Sequence, residues 1–189
     1  MNTHLKKKYS MTQLYGAFLN GYLALPKLSR NKRSQTVDPR LIERLMLATT
    51  EVNGCDVCSY AHTRMALKEG FSQEEISSFL TGSKGFVKAD EATAILYAQH
   101  VADSMGSPDP ETTQRLVAVY GNEPARIMQA GIDVIMMGNA SGIPLSAFLR
   151  RLKSQPYENS SLSYELSMLL VQPVFMIAAL PHALVKAIL

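Results

Sequence analysis

The stretch NGCDVCSYAHTRMALKEG, from Asn53 to Gly70, carries both cysteines of the chain, Cys55 and Cys58, and His62 follows four residues later. Three chemistries fit that spacing. Two thiols three positions apart can close and reopen a disulfide, with the imidazole as their base. The same three side chains, joined by a carboxylate, can hold zinc. Alternatively, the cysteines are small apolar side chains of a core helix. A helix from Cys55 to Glu69, turning about 100° per residue, gathers Cys55, Cys58 and His62 in one narrow sector with Met65 and Ala66. Tyr60, Arg64 and Lys68 then point elsewhere. A thiol in the first helical turn feels the positive end of the dipole, and a nearby imidazolium adds to it, so the thiolate is favoured. On that ground Cys55, nearer the helix start, is the more acidic of the two. A second C-x-x-C or a paired histidine would strengthen the zinc reading, and the sequence has neither, so redox chemistry leads.

The elements that must position these groups read as helices. Asp38-Pro39 is an N-cap followed by proline at the first helical position, and LIERLMLATTEV runs on to the Asn53-Gly54 break. Leu41, Ile42, Leu45, Met46 and Leu47 leave this helix no broad polar face. Glu43 therefore has two expected places: half-buried and available for proton transfer, or at the surface paired with Arg40 or Arg44. Gly70 stops the cysteine helix, and Ser72 with Glu75 opens the next as a capping box. Asp90, Asp109-Pro110 and Asn122 mark three further starts. Asn139 and Ser141 in MGNASGIP read as a helix end closed by Gly142 and Pro144. His100 reads as a satisfied core histidine, and His182, after Pro181, as a helix cap or break. No segment alternates in the strand manner. The expected class is all-α, in one domain: a basic N-terminal extension with a short helix (1–37), a helical core (38–150) and an apolar helical segment (151–189) that belongs to the same domain or to an oligomer interface.

Bulk properties narrow the classes further. With 189 residues, 47% hydrophobic and 19% charged, the chain is long enough for a real core without disulfide staples. A net charge of +3 calls for no nucleic-acid partner. The charge is uneven, though: up to Arg40 there are eight basic residues against Asp38 alone. Lys6, Lys7 and Lys8, then Lys27, Arg30, Lys32 and Arg33, are expected on a solvated arm and loop. The run KKKYSMTQLYGAFLNGYLALP is interrupted by Gln13, Asn20 and two glycines and lacks a cleavage site, so it is not read as a leader. Near the other end, LSMLLVQPVFMIAALPHALVKAIL is broken by Gln172, Pro173, Pro181 and Lys186, leaving less than the roughly 18–20 residues of a bilayer span and no stable membrane insertion expected. A C-x-x-C without a disulfide framework fits a cytoplasmic protein.

The segment LIERLMLATTEVNGCDVCSYAHTRMALKEGFSQEEI resembles the AhpD-like, carboxymuconolactone decarboxylase-like family, in which a glutamate precedes C-x-x-C-x-x-x-H by twelve residues, as Glu43 precedes Cys55 here. The resemblance is strong over residues 39–76 and looser to about Ala147. It implies an all-helical AhpD-like bundle that assembles as dimers, trimers or hexamers. It implies thiol-dependent reduction of a small-molecule hydroperoxide, regenerated by a protein or lipoyl-type dithiol, with no cofactor and no metal. It assigns Cys58 as the thiol oxidised to sulfenic acid, Cys55 as the resolving thiol, and Glu43 and His62 as a proton relay. The chain departs from the AhpD enzyme at Val57, where that enzyme has a histidine before the second cysteine. The alternatives are a zinc-binding or redox-sensing module without turnover, or a lyase of the family's decarboxylase branch.

Overall fold

In the computed structural model, which describes residues 3–83 and 85–188, eight α-helices and no strand are found among the described residues. They are α1 (Met11–Ser34), α2 (Pro39–Asn53), α3 (Asp56–Lys68), α4 (Gln73–Leu80), α5 (Ala92–Asp103), α6 (Pro110–Tyr120), α7 (Asn122–Leu152) and α8 (Leu162–Ile188). The long α7 is the axis of the bundle, touching α1, α2, α3, α5, α6 and α8.

Local chemistry sets the boundaries. Ser10 and Gln13 form a reciprocal capping box at the start of α1. Asp38 accepts from the Arg40 N–H ahead of α2, with Pro39 in the first turn. Gly54 ends α2 in the left-handed conformation (φ 70°) that a glycine adopts without cost. The Ser72 side chain accepts from the Glu75 N–H at the start of α4, but the Glu75 carboxylate is drawn away to Arg44, so only half of the expected capping box closes.

Helix α2 is buried on every side: no residue from Leu41 to Thr50 reaches solvent appreciably, Glu43 and Arg44 included. Gly131 of α7 lets it in, since a Cβ there would lie 3.1 Å from Ile42 Cγ2. Burying charge requires partners. Arg44 donates through Nε and Nη2 to Glu75 Oε1 (3.0 and 2.8 Å) and through Nη1 to Glu91 Oε1 (2.9 Å), pinning α2 to α4 and to the start of α5. Arg44 is thereby committed to Glu75 and Glu91 rather than to Glu43.

Several expectations are corrected by the packing. The N-terminal segment holds a 24-residue helix rather than a short one, packed on α7 and α8. Its three lysines are not a free arm: Lys6 pairs with Glu51, Lys7 with Asp103, and Lys8 stacks over the Tyr164 ring. MGNASGIP is no helix end. Helix α7 continues through Gly142 and Pro144 to Leu152, because that stretch is buried and its small residues face α3. Pro173 and Pro181 likewise stay inside α8, where burial of Met168, Ala179 and Ala183 offsets the lost backbone bonds. His182 neither caps nor breaks that helix; its Nδ1 meets Tyr15 Oη at 2.9 Å. His100, a third exposed, accepts from the Asp109 N–H and organises the turn before α6. Both α7 and α8 are long and apolar enough to cross a membrane by length and composition alone. The most apolar window of α7 is 56% buried, as for a core helix, and that of α8 only 17%.

Candidate functional site

Cys55 is not the first residue of the helix but its N-cap, with extended backbone (φ −90°, ψ 100°), and α3 begins at Asp56. From there its Sγ accepts from the Cys58 N–H at 3.3 Å, a task usually given to a serine or aspartate oxygen. The two cysteines are joined in a disulfide with Cα atoms 5.2 Å apart. Val57, at the place where the AhpD enzyme has a histidine, donates its N–H to Ser146 Oγ of α7 (3.2 Å), fixing the first turn of α3 against the bundle axis.

One turn after Cys58, His62 points its Nδ1 at Glu43 Oε1, 2.8 Å away. Both side chains are nearly buried, at 12% and 10% exposure. An ionised carboxylate only accepts, so the imidazole Nδ1–H donates and Nε2 is left to take up or release a proton. The alternative pairing of Glu43 with Arg40 or Arg44 does not occur, because Arg44 is held by Glu75 and Glu91 and Arg40 lies near Glu75. The structure thus brings Glu43 to His62 and Cys55 to Cys58. Of the two cysteine residues, Cys55 is fully buried and Cys58 is 7% exposed. Cys58 Sγ lies 3.6 Å from the Gly138 carbonyl oxygen, an acceptor for the thiol when reduced. Tyr60 is 66% exposed and stacks with Arg64, away from this centre.

Sequence reasoning missed the face of α7 that receives the pair. A Cβ on Gly142 would stand 2.6 Å from Cys55 Sγ and 2.7 Å from Cys58 Sγ, so only glycine leaves room for both sulfurs. Gly138, Gly142 and Ser146 recur every four residues along one side of α7, a helical small-residue period that was visible in the sequence. Beyond Cys55, Asp56 accepts from Tyr157 Oη (2.7 Å), and Arg150 stacks on the Tyr157 ring at 4.2 Å. Burial, then the bond to Asp56, pushes the Tyr157 hydroxyl up to about 12, so it remains a donor at neutral pH. Among the described residues no group of three or more His, Cys, Asp and Glu side chains could hold a metal ion.

An all-helical bundle with a cysteine pair at a helix start and a Glu–His pair behind it defines a class of helical dithiol proteins. Residues 18–99 match the model of the carboxymuconolactone decarboxylase family, and this match supports an AhpD-like or decarboxylase-like function. No curated protein and no solved structure matches. The matched segment includes Glu43, Cys55, Cys58 and His62 and ends before α7, so the helix face that seats the sulfurs lies outside it.

The clearance at Gly142 generates a prediction. Gly142→Ala should spare the reduced protein more than the oxidised one, because free thiols can turn away from the new methyl group. Overpacking of this kind costs about 1–3 kcal/mol. Melting curves with and without a reductant should therefore show a larger loss for the oxidised variant, and equal losses in both states would contradict this packing account.

Proposed function

We propose that the protein is a thiol-dependent hydroperoxide reductase of antioxidant defence. The observation that carries the reading is the Glu43–His62 pair, closed at 2.8 Å one turn from the cysteine pair. In the reduced state the Cys58 thiol passes its proton to His62 Nε2, and the thiolate attacks the terminal oxygen of ROOH. The O–O bond breaks, sulfur keeps that oxygen as sulfenic acid, and the leaving alkoxide takes the proton from His62 to become ROH. Glu43 holds the imidazole in the tautomer this transfer needs and stabilises its charged form. The Cys55 thiol then condenses with the sulfenic acid, releasing water and forming the disulfide. An external dithiol, protein or lipoyl-type, reduces it in two exchange steps and leaves as a disulfide itself. Cys58 is assigned the attack because it is the less buried of the two cysteines, which favours the family pattern over the dipole argument for Cys55. The cycle calls for no cofactor, and it suits the cytoplasm, where dithiol pools keep such pairs reduced.

The test is chemical. Cys55→Ser treated with organic hydroperoxide and dimedone should carry one adduct, on Cys58, in the peptide 53–64 analysed by mass spectrometry. The native protein should instead form the disulfide with one equivalent of peroxide. An unlabelled Cys58 together with no peroxide-driven disulfide overturns the reading. Stoichiometric zinc in the reduced protein, or turnover of a carboxymuconolactone, would move it to the zinc-module or decarboxylase alternative.

The same reading includes a homo-oligomer joined through α8. Leu170, Val174, Ile177, Leu184 and Ile188 are all more than half exposed. They recur at intervals of four, three, seven and four, the 3.5-residue stripe of a helix that packs on another helix. A second copy of the chain, offering the same stripe, is the occupant. Ile177→Lys should reduce the sedimenting mass toward the 20.8 kDa of one chain. Native protein that is monomeric at micromolar concentration, or that pellets with vesicles, overturns this part.

A further inference from the structure

Between α1, α2, α3, α7 and α8 lies an open cavity of about 520 Å³. Its polar end is the catalytic one: His62 and Gly138 line it, and the Gly138 carbonyl is the group next to Cys58 Sγ. The remaining wall is almost wholly apolar. Met46, Met65, Met137 and Met176 come from four different helices, and Phe18 and Tyr22 of α1 close the floor. Gly21 admits Met137 to that floor, since a Cβ there would stand 2.5 Å from the Met137 sulfur. On the α8 side the Gln172 amide is spent on the Ser141 carbonyl (3.1 Å), tying α8 to α7 at the rim.

Nothing in the proposed chemistry needs such a space. A hydrogen peroxide molecule would occupy a small fraction of it and face mostly carbon and sulfur along the wall. The volume falls in the range of sites that enclose drug-sized ligands, roughly 300–1,000 Å³. Unbranched, polarisable thioethers on four helices adapt to chains of varied shape.

We propose that this cavity binds the hydrocarbon chain of a long-chain organic hydroperoxide, with the peroxide group toward His62 and Cys58. This rests on the hydroperoxide-reductase reading and adds the substrate class to it. Helix α8, beyond the segment that matches the family, then becomes a specificity element through Met176.

Two measurements separate the cavity from the chemistry. Dithiothreitol-supported reduction of an eighteen-carbon fatty-acid hydroperoxide and of tert-butyl hydroperoxide is compared by kcat/KM. The long-chain substrate should be favoured at least about tenfold, and Met176→Trp, or separately Met65→Trp from the opposite wall, should lower that ratio about tenfold. Both methionines are close to half exposed, so the larger ring does not threaten the fold. In parallel, binding of the unreactive eighteen-carbon hydroxy acid to the oxidised protein is followed by calorimetry, and each tryptophan should weaken it to the same extent. Reduction of both peroxides with no chain preference, and no binding of the hydroxy acid, overturns the cavity assignment while the reductase reading stands. Binding that the tryptophans abolish, with neither peroxide reduced, supports the cavity as a chain site and overturns the reductase reading instead.

Discussion

A carboxylate buried in a helix that has no polar face must be answered by a partner, and here the partner is His62. The Glu43–His62 hydrogen bond is the constraint on which the site depends. It fixes the rotation of α3 about its own axis, and with it the direction of Cys58 one turn earlier. Its neighbour in sequence shows how the assignment is enforced. Glu43 and Arg44 are adjacent and both buried, and simple pairing of the two would have neutralised them. Instead, Arg44 is held by Glu75 and Glu91, which leaves Glu43 for the imidazole. The structural charge network and the candidate catalytic pair are thus complementary halves of one helix.

The second requirement is room. Two bonded sulfurs are bulky, and they sit where α3 meets the bundle axis. Gly142 supplies the space, Ser146 anchors the first turn through the Val57 N–H, and the Gly138 carbonyl faces Cys58. One face of α7, stepping in fours through small residues, therefore does the seating that a family match over residues 18–99 does not include.

Much of this was legible in the sequence, for physical reasons. The caps at Asp38 and Ser72, the stop at Gly54 and the apolar circumference of α2 are local signals, and the all-helical class followed from them. Cys58 and His62 could be put on one face because i, i+4 geometry holds wherever a helix forms, whereas the place of Glu43, on another helix, came from the family resemblance. The failures were of another kind. MGNASGIP and the prolines of α8 carry strong local stop signals, and only packing against neighbours far away in sequence overrides them. The role of Gly142 depends on which helix crosses α3, and the commitment of Arg44 depends on acids 31 and 47 positions away. Neither could be read without the tertiary arrangement. Cys55 as an N-cap rather than a helical residue was a boundary error of one position, and it moved a sulfur into a capping role.

The account stands or falls on the proton relay rather than on the sulfurs, which many helices could carry. Glu43→Gln keeps the size and an acceptor for the His62 Nδ1–H but removes the charge that steadies the protonated ring. The most direct measurement is the second-order rate of Cys58 oxidation by organic hydroperoxide at pH 7, followed in reduced Glu43→Gln whose melting temperature matches the native protein. General acid–base assistance contributes on the order of 100-fold or more, and a loss of about that size is expected. A variant that folds as the native protein and reacts as fast would contradict the account.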